Sequence, residues 1–188
     1  ATTAAVGNLL MVVGADTGKD GLHGATFASV ELDEASAERR PAVQVGNPFL
    51  EKLLMEACVE LVQEHSDWIV GLQDLGAAGL TSAAIESAVR GGTGLRIDTD
   101  AIPRREAGLT PYDVMLSESQ ERMLALVKPG HEDDVRALFE RWELTTALVG
   151  VSTDDGLAHI VGDGADVAAI DVGLLTEPPT YEGEAWQD

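Results

Sequence analysis

The sequence predicts a mixed α/β fold, a sandwich in which helices pack on one mixed β-sheet. Three observations predict it. Short apolar runs of strand length alternate with stretches whose apolar residues recur at three and four. The last third holds three strand-like runs whose connections are too short for parallel crossovers, so part of the sheet is antiparallel. Hydrophobic residues make up 45% and charged residues 24% of the 188-residue chain, the composition of a globular domain.

The elements follow in order. LLMVVG at 9–14 reads as a buried strand. Glycines at 14, 18, 21 and 24 then make a structured loop, too glycine-dense for a helix. Residues 31–41 read as a charged surface linker ending at Pro41. The clearest helix is 48–65, capped by Asn47 with Pro48 at its first position. Leu50, Leu53, Leu54, Ala57, Cys58, Leu61 and Val62 form its apolar face. WIVGLQ at 68–73 reads as a strand ending at Asp74, followed by a helix that stops near Gly91 and Gly92. GLRIDTD at 94–100 is another strand, and TPYD at 110–113 starts a helix, with Thr110 as cap and Asp113 in the first turn. ERMLALVKP at 121–129 is a strand turning at Pro129-Gly130. A helix over 131–142 presents Val135, Leu138, Phe139 and Trp142 inward. TALVGVST, LAHIVG and VAAIDV complete the strands, with Asp154-Asp155-Gly156 as a turn. The reading gives one domain over 1–175 and a polar, proline-bearing tail over 176–188. The missing initiator methionine points to a fragment or a processed product.

The bulk numbers exclude several functions. Net charge is −21, which repels nucleic acid and anionic membranes. It suits a protein that holds divalent cations or one from a salty or otherwise unusual cytosol, and reads mainly as solubility chemistry with no specific partner implied. No apolar run reaches the roughly 18 residues of a membrane span. A single cysteine, Cys58, permits no internal disulfide and fits a reducing, cytoplasmic setting. Cys58 lies on the apolar helix face and reads as core. The four histidines (His23, His65, His131, His159) show no metal-ligand spacing, and His159 reads as a packed strand residue.

Four segments offer chemistry, each with two roles open. The glycine-rich loop is either an anion cradle or a tight connection; it is not a Walker A loop, because three residues rather than four separate Gly14 from Gly18 and Asp20 stands where Ser or Thr is needed. Asp74, at a strand end before a glycine-rich helix start, either holds magnesium or caps that helix. Ser117 to Gln120 form either a hydrogen-bonding shelf for a ribose or amide or a solvated turn. Gln44, alternating with valines, is either a ligand contact or an ordinary edge-strand residue.

The strings TGKDGLHGATFAS, RPAVQVGNPFLEKLLMEAC, VGLQDLGAAGLTS and TPYDVMLSESQERML occur in this order. Together they closely resemble the synthetase subunit of phosphoribosylformylglycinamidine synthase in its small form. This is a family within the aminoimidazole ribonucleotide synthetase-like superfamily. The resemblance covers nearly the whole chain, is weakest over 131–188, and corresponds to the first C-terminal-type domain. It implies part of an ATP-dependent carbon–nitrogen ligase of purine biosynthesis. In that family ATP activates the amide oxygen of formylglycinamide ribonucleotide, and ammonia then displaces phosphate.

At matching positions the resemblance implies that Gln44, Glu118, Ser119 and Gln120 contact that ribonucleotide and that Asp74 ligates Mg2+. It implies ATP as a co-substrate held mainly by other domains of the same subunit. A glutaminase subunit and a small third subunit are the implied partners. No histidine here matches the family's catalytic one, so this chain alone is expected to be inactive. A non-catalytic nucleotide-binding or interaction module of the same fold is the alternative. The ESQ triplet argues against the aminoimidazole synthetase itself. The functional reading requires Asp74, Gln44 and Gln120 to converge on one pocket mouth.

Overall fold

The apolar run Leu9–Gly14 is strand β1, and it lies inside the sheet with a partner on each side. The coordinates are a computed structural model that describes residues 2–3, 5–22, 45–177 and 179–180. The expected 31–41 linker, His23 and Gln44 lie outside the described residues. The remaining strands are β2 (Ile69–Asp74), β3 (Gly94–Asp98), β4 (Arg122–Val127), β5 (Thr145–Thr153), β6 (Leu157–Gly162) and β7 (Ala165–Asp171). They form one sheet in the order β2-β4-β1-β5-β3-β6-β7. Among the described strands only the β3–β6 pair is parallel; the other neighbours run antiparallel. The mixed sheet predicted from the short C-terminal connections is therefore present.

The helices are α1 (Pro48–Glu64), α2 (Gly79–Gly91), α3 (Pro111–Leu116), α4 (Glu132–Arg141) and α5 (Val172–Thr176), with a 3-10 turn at Thr99–Ala101. Strand alternation divides the core into two layers. Leu10, Val12, Leu124 and Leu126 face one way and pack with Leu80, Ala84 and Ala88 of α2. Met11, Val13, Ala125 and Val127 face the other way and meet Leu54, Ala57 and Leu61 of α1 and Val135, Leu138 and Phe139 of α4. Each fully buried leucine or phenylalanine contributes about 1.5–3 kcal/mol relative to exposure.

Local chemistry sets the helix ends. The Asn47 side chain accepts from the Leu50 amide at 3.2 Å, with Pro48 at the first helical position. Thr110 and Asp113 form a reciprocal capping box on α3. Gly92, in left-handed conformation, closes α2. The sequence reading missed α5, a five-residue helix capped by Asp171 that spans the expected domain end at 175. His159 is a strand residue of β6 with a largely buried side chain, as expected, and its Nε2 also meets Asp155 Oδ2 at 2.7 Å across the β5–β6 turn.

Candidate functional site

Sheet register builds the site. In β2–β4, Asp74 pairs with Met123, and the Leu75 amide donates to the Arg122 carbonyl at 3.2 Å. In β1–β4, Gly14 pairs with Arg122. The exits of β1 and β2 thus flank the segment 117–121 that leads into β4. Two glycines let the backbones close in. A Cβ on Gly14 (φ +111°) would lie 2.1 Å from the Glu121 carbonyl oxygen. One on Gly79 (φ +52°) would lie 1.9 Å from the Ser117 carbonyl oxygen. No side chain fits at either position.

The glycine-rich loop is a structural connection along much of its length. The Ala15 amide donates to the Glu121 carbonyl (2.9 Å) and the Thr17 amide to the Pro103 carbonyl (2.8 Å). The Gly18 amide donates to Ser119 Oγ (2.9 Å) and the Lys19 amide to Glu106 Oε1 (2.7 Å). Amides engaged this way are not free to cradle a phosphate. Asp20, 5% exposed, accepts from the Arg105 guanidinium at 2.5 and 2.6 Å and from the Ser119 hydroxyl. Beneath it, buried Arg122 donates to Thr17 Oγ1 (2.9 Å) and to the Ser119 and Ser117 carbonyls (2.9 and 2.7 Å). Burial pushes the Arg122 guanidinium down to about 10, against the upward pull of Asp20, so it stays charged at neutral pH.

The implied ligand contacts separate into three kinds. Asp74 and Gln120 line one cavity of about 640 Å³, walled on its apolar side by Leu54, Met55, Cys58 and Val59 of α1. Asp74 is exposed; it accepts from Gln73 Nε2 at 3.0 Å and does not cap α2, whose N-cap residue is Ala78. The cap comes instead from Glu118, whose Oε1 accepts the Ala78 amide at 3.0 Å. Ser119 is buried, its hydroxyl engaged with Gly18, Ser117 and Asp20. Gln120 Nε2 donates to the Glu118 carbonyl at 3.1 Å. Gln44 lies outside the described residues.

Sequence reasoning missed Glu121. It lines the Asp74 cavity and also an adjoining polar cavity of about 280 Å³, which it shares with Gln120. Its backbone is left-handed (φ 57°), a conformation that costs a non-glycine residue about 1 kcal/mol or more and persists only when its surroundings impose it. The only signal in the sequence was its place in the polar run ahead of β4.

Asp74 offers one exposed carboxylate to the cavity it shares with Gln120, the kind of oxygen donor by which Mg2+ is commonly held together with waters and a ligand phosphate. Elsewhere among the described residues, Glu60, Glu64 and His65 bring possible ligand atoms within 4.8 Å of one another, a grouping that histidine spacing did not reveal. Glu60 already accepts from Trp142 Nε1 (2.8 Å) and Arg141 (2.5 Å), which hold its carboxyl below the usual range. No helix among the described residues is long and apolar enough to cross a membrane.

A seven-stranded mixed sheet covered by helices, with polar segments gathered at one end, defines a mixed α/β domain. Residues 5–162 match the family model described as AIR synthase related protein, C-terminal domain, and the chain belongs to that family. It is 56% identical over 184 residues to the phosphoribosylformylglycinamidine synthase subunit PurL of Moorella thermoacetica, covering 97% of this chain and 25% of that protein. It therefore spans about a quarter of the length of the curated relatives it matches. Among solved structures, Thermotoga maritima PurL complexed with FGAR aligns at a TM-score of 0.85 with 31% identity, over 100% of this chain and 31% of that one. The same organism's PurL complexed with ATP and its PurLQS structure each align at 0.81 with 26% identity, over 100% of this chain and 29% of theirs.

Proposed function

We propose that this chain is the substrate- and magnesium-binding domain of an ATP-dependent ligase that converts formylglycinamide ribonucleotide to formylglycinamidine ribonucleotide in purine biosynthesis. The observation that carries the reading is the juxtaposition of Asp74 and Gln120 on one cavity. Family membership and the FGAR complex of a similar protein supply the substrate class. Asp74 would hold Mg2+, which when bound neutralises phosphate oxygens as charge develops. Gln120 and Gln44 would orient the ribonucleotide. The Glu118 and Ser119 side chains are engaged within the chain, so these two residues would act chiefly by fixing the backbone and setting the angle of Gln120. Orientation of this kind accounts for a large share of catalysis.

ATP and the acid–base groups would come from other domains of a longer subunit. A glutaminase subunit would supply ammonia, alongside a small third subunit. The supporting observations are the quarter-length coverage of the relatives and the ATP and PurLQS structures of the Thermotoga protein. The test is steady-state kinetics of Asp74→Ala and Gln120→Ala in the full-length subunit. Turnover at fixed substrate should fall at least tenfold in each while the fold is retained. Wild-type kinetics in both variants would refute the reading. A non-catalytic module would instead bind only nucleotide, or a protein partner, in calorimetry.

A further inference from the structure

We propose that Glu121 is a positioning residue of this site, an assignment that rests on the substrate-binding reading above. Two observations place it. Its carbonyl receives the Ala15 amide at 2.9 Å, an approach that Gly14 alone permits, and this anchors the backbone in left-handed conformation. Its Oε1 accepts the Asn47 amide at 2.8 Å. Asn47 is fixed from the other side as well, because its side chain and carbonyl hold the Leu50 and Glu51 amides of α1. Glu121 therefore joins three segments at one point: the exit of β1, the 117–121 turn and the start of α1. With Gln120 it also lines both cavities.

A turn that needed only its backbone shape would be best served by glycine or asparagine, which reach left-handed angles with little strain. A glutamate there keeps the strain and adds a carboxylate long enough to reach Asn47. The strain is thus coupled to a contact that orients α1, which carries the apolar wall of the Asp74 cavity, against the turn that carries Gln120.

The test compares four variants in the full-length subunit: Glu121→Gly, Glu121→Asn, Glu121→Gln and Gln120→Ala. Glycine and asparagine relieve the backbone and abolish the reach to Asn47; glutamine keeps an acceptor of the same length. We expect Glu121→Gly and Glu121→Asn to keep or raise Tm, to raise KM for formylglycinamide ribonucleotide at least tenfold, and to change kcat less than threefold. Glu121→Gln should stay within threefold of wild type. A purely structural residue would lower Tm and leave KM in place. An unchanged KM in both relieved variants, with Gln120→Ala impaired, overturns the role of Glu121 alone. Wild-type KM and kcat in Gln120→Ala, together with wild-type kinetics in Asp74→Ala, overturn the underlying site reading instead.

Discussion

The Glu118 carboxylate accepts the Ala78 amide at 3.0 Å, so the residue that caps α2 comes from a separate segment of the chain. Ala78 is left-handed and offers no side-chain cap of its own. Replacing Glu118 by alanine should cost about 1 kcal/mol of stability, the usual value of a lost N-cap. Glutamine, which keeps an acceptor oxygen, should cost less. Urea denaturation of the two variants checks the order.

Asp74 should behave in the opposite way. It is exposed and its hydrogen bond is to its neighbour Gln73. Asp74→Asn should therefore change stability by no more than about 0.5 kcal/mol while, on the proposed role in holding Mg2+, raising the Mg2+ concentration needed for half-maximal activity at least tenfold. Activity measured against Mg2+ concentration in the full-length subunit, beside a melting curve, separates the two effects.

The Asp20–Arg105 pair is asymmetric, because Asp20 is buried while the Arg105 side chain is 46% exposed. Asp20 is also the counter-charge of buried Arg122, so removing the acid leaves that cation uncompensated, and Asp20→Ala should cost about 3 kcal/mol. Removing half-exposed Arg105 leaves Asp20 with the Ser119 hydroxyl and Arg122, and Arg105→Ala should cost less, about 1–2 kcal/mol. Denaturation midpoints at constant slope give the comparison; a larger effect for Arg105→Ala contradicts it.

Asp155 accepts from Thr153 Oγ1 at 2.7 Å, His159 Nε2 at 2.7 Å and the Leu157 amide at 3.1 Å. These bonds, led by the Thr153 hydroxyl, lower its pKa from 3.8 to about 2. The folded value lies below the unfolded one, so its stabilising contribution is complete above about pH 4 and disappears as pH falls towards 2. Carboxyl NMR titration should give a midpoint near the lower value, and Thr153→Val should move it upward.

Burial raises the Cys58 thiol to about 11. At pH 8 its thiolate fraction is on the order of one in a thousand, so alkylation should run roughly a hundredfold slower than for a free thiol. Iodoacetamide kinetics followed by mass spectrometry provide the measurement.

Much of the fold was legible because its signals are local. Asn47-Pro48 and Thr110-Pro111 mark helix starts by cap chemistry, and both caps form as read. The run 9–14 is apolar throughout because both faces of β1 are covered. The site was legible only as a set of polar interruptions. Nothing local says that Glu118 caps α2 while Gln120, two residues on, lines a cavity; the register Asp74–Met123 and Gly14–Arg122 decides that. Glu121 was invisible for the same reason, since its left-handed backbone comes from a distant glycine. The five residues of α5 are too few for a periodic signal.

Strand order has a consequence for biogenesis. Residues 9–14 pair with 122–127 on one side and with 145–151 on the other. A growing chain therefore makes LLMVVG well before either of its partner strands. Until synthesis passes residue 151, LLMVVG has an unfilled hydrogen-bonding edge, the arrangement most prone to wrong pairing and most dependent on chaperone cover.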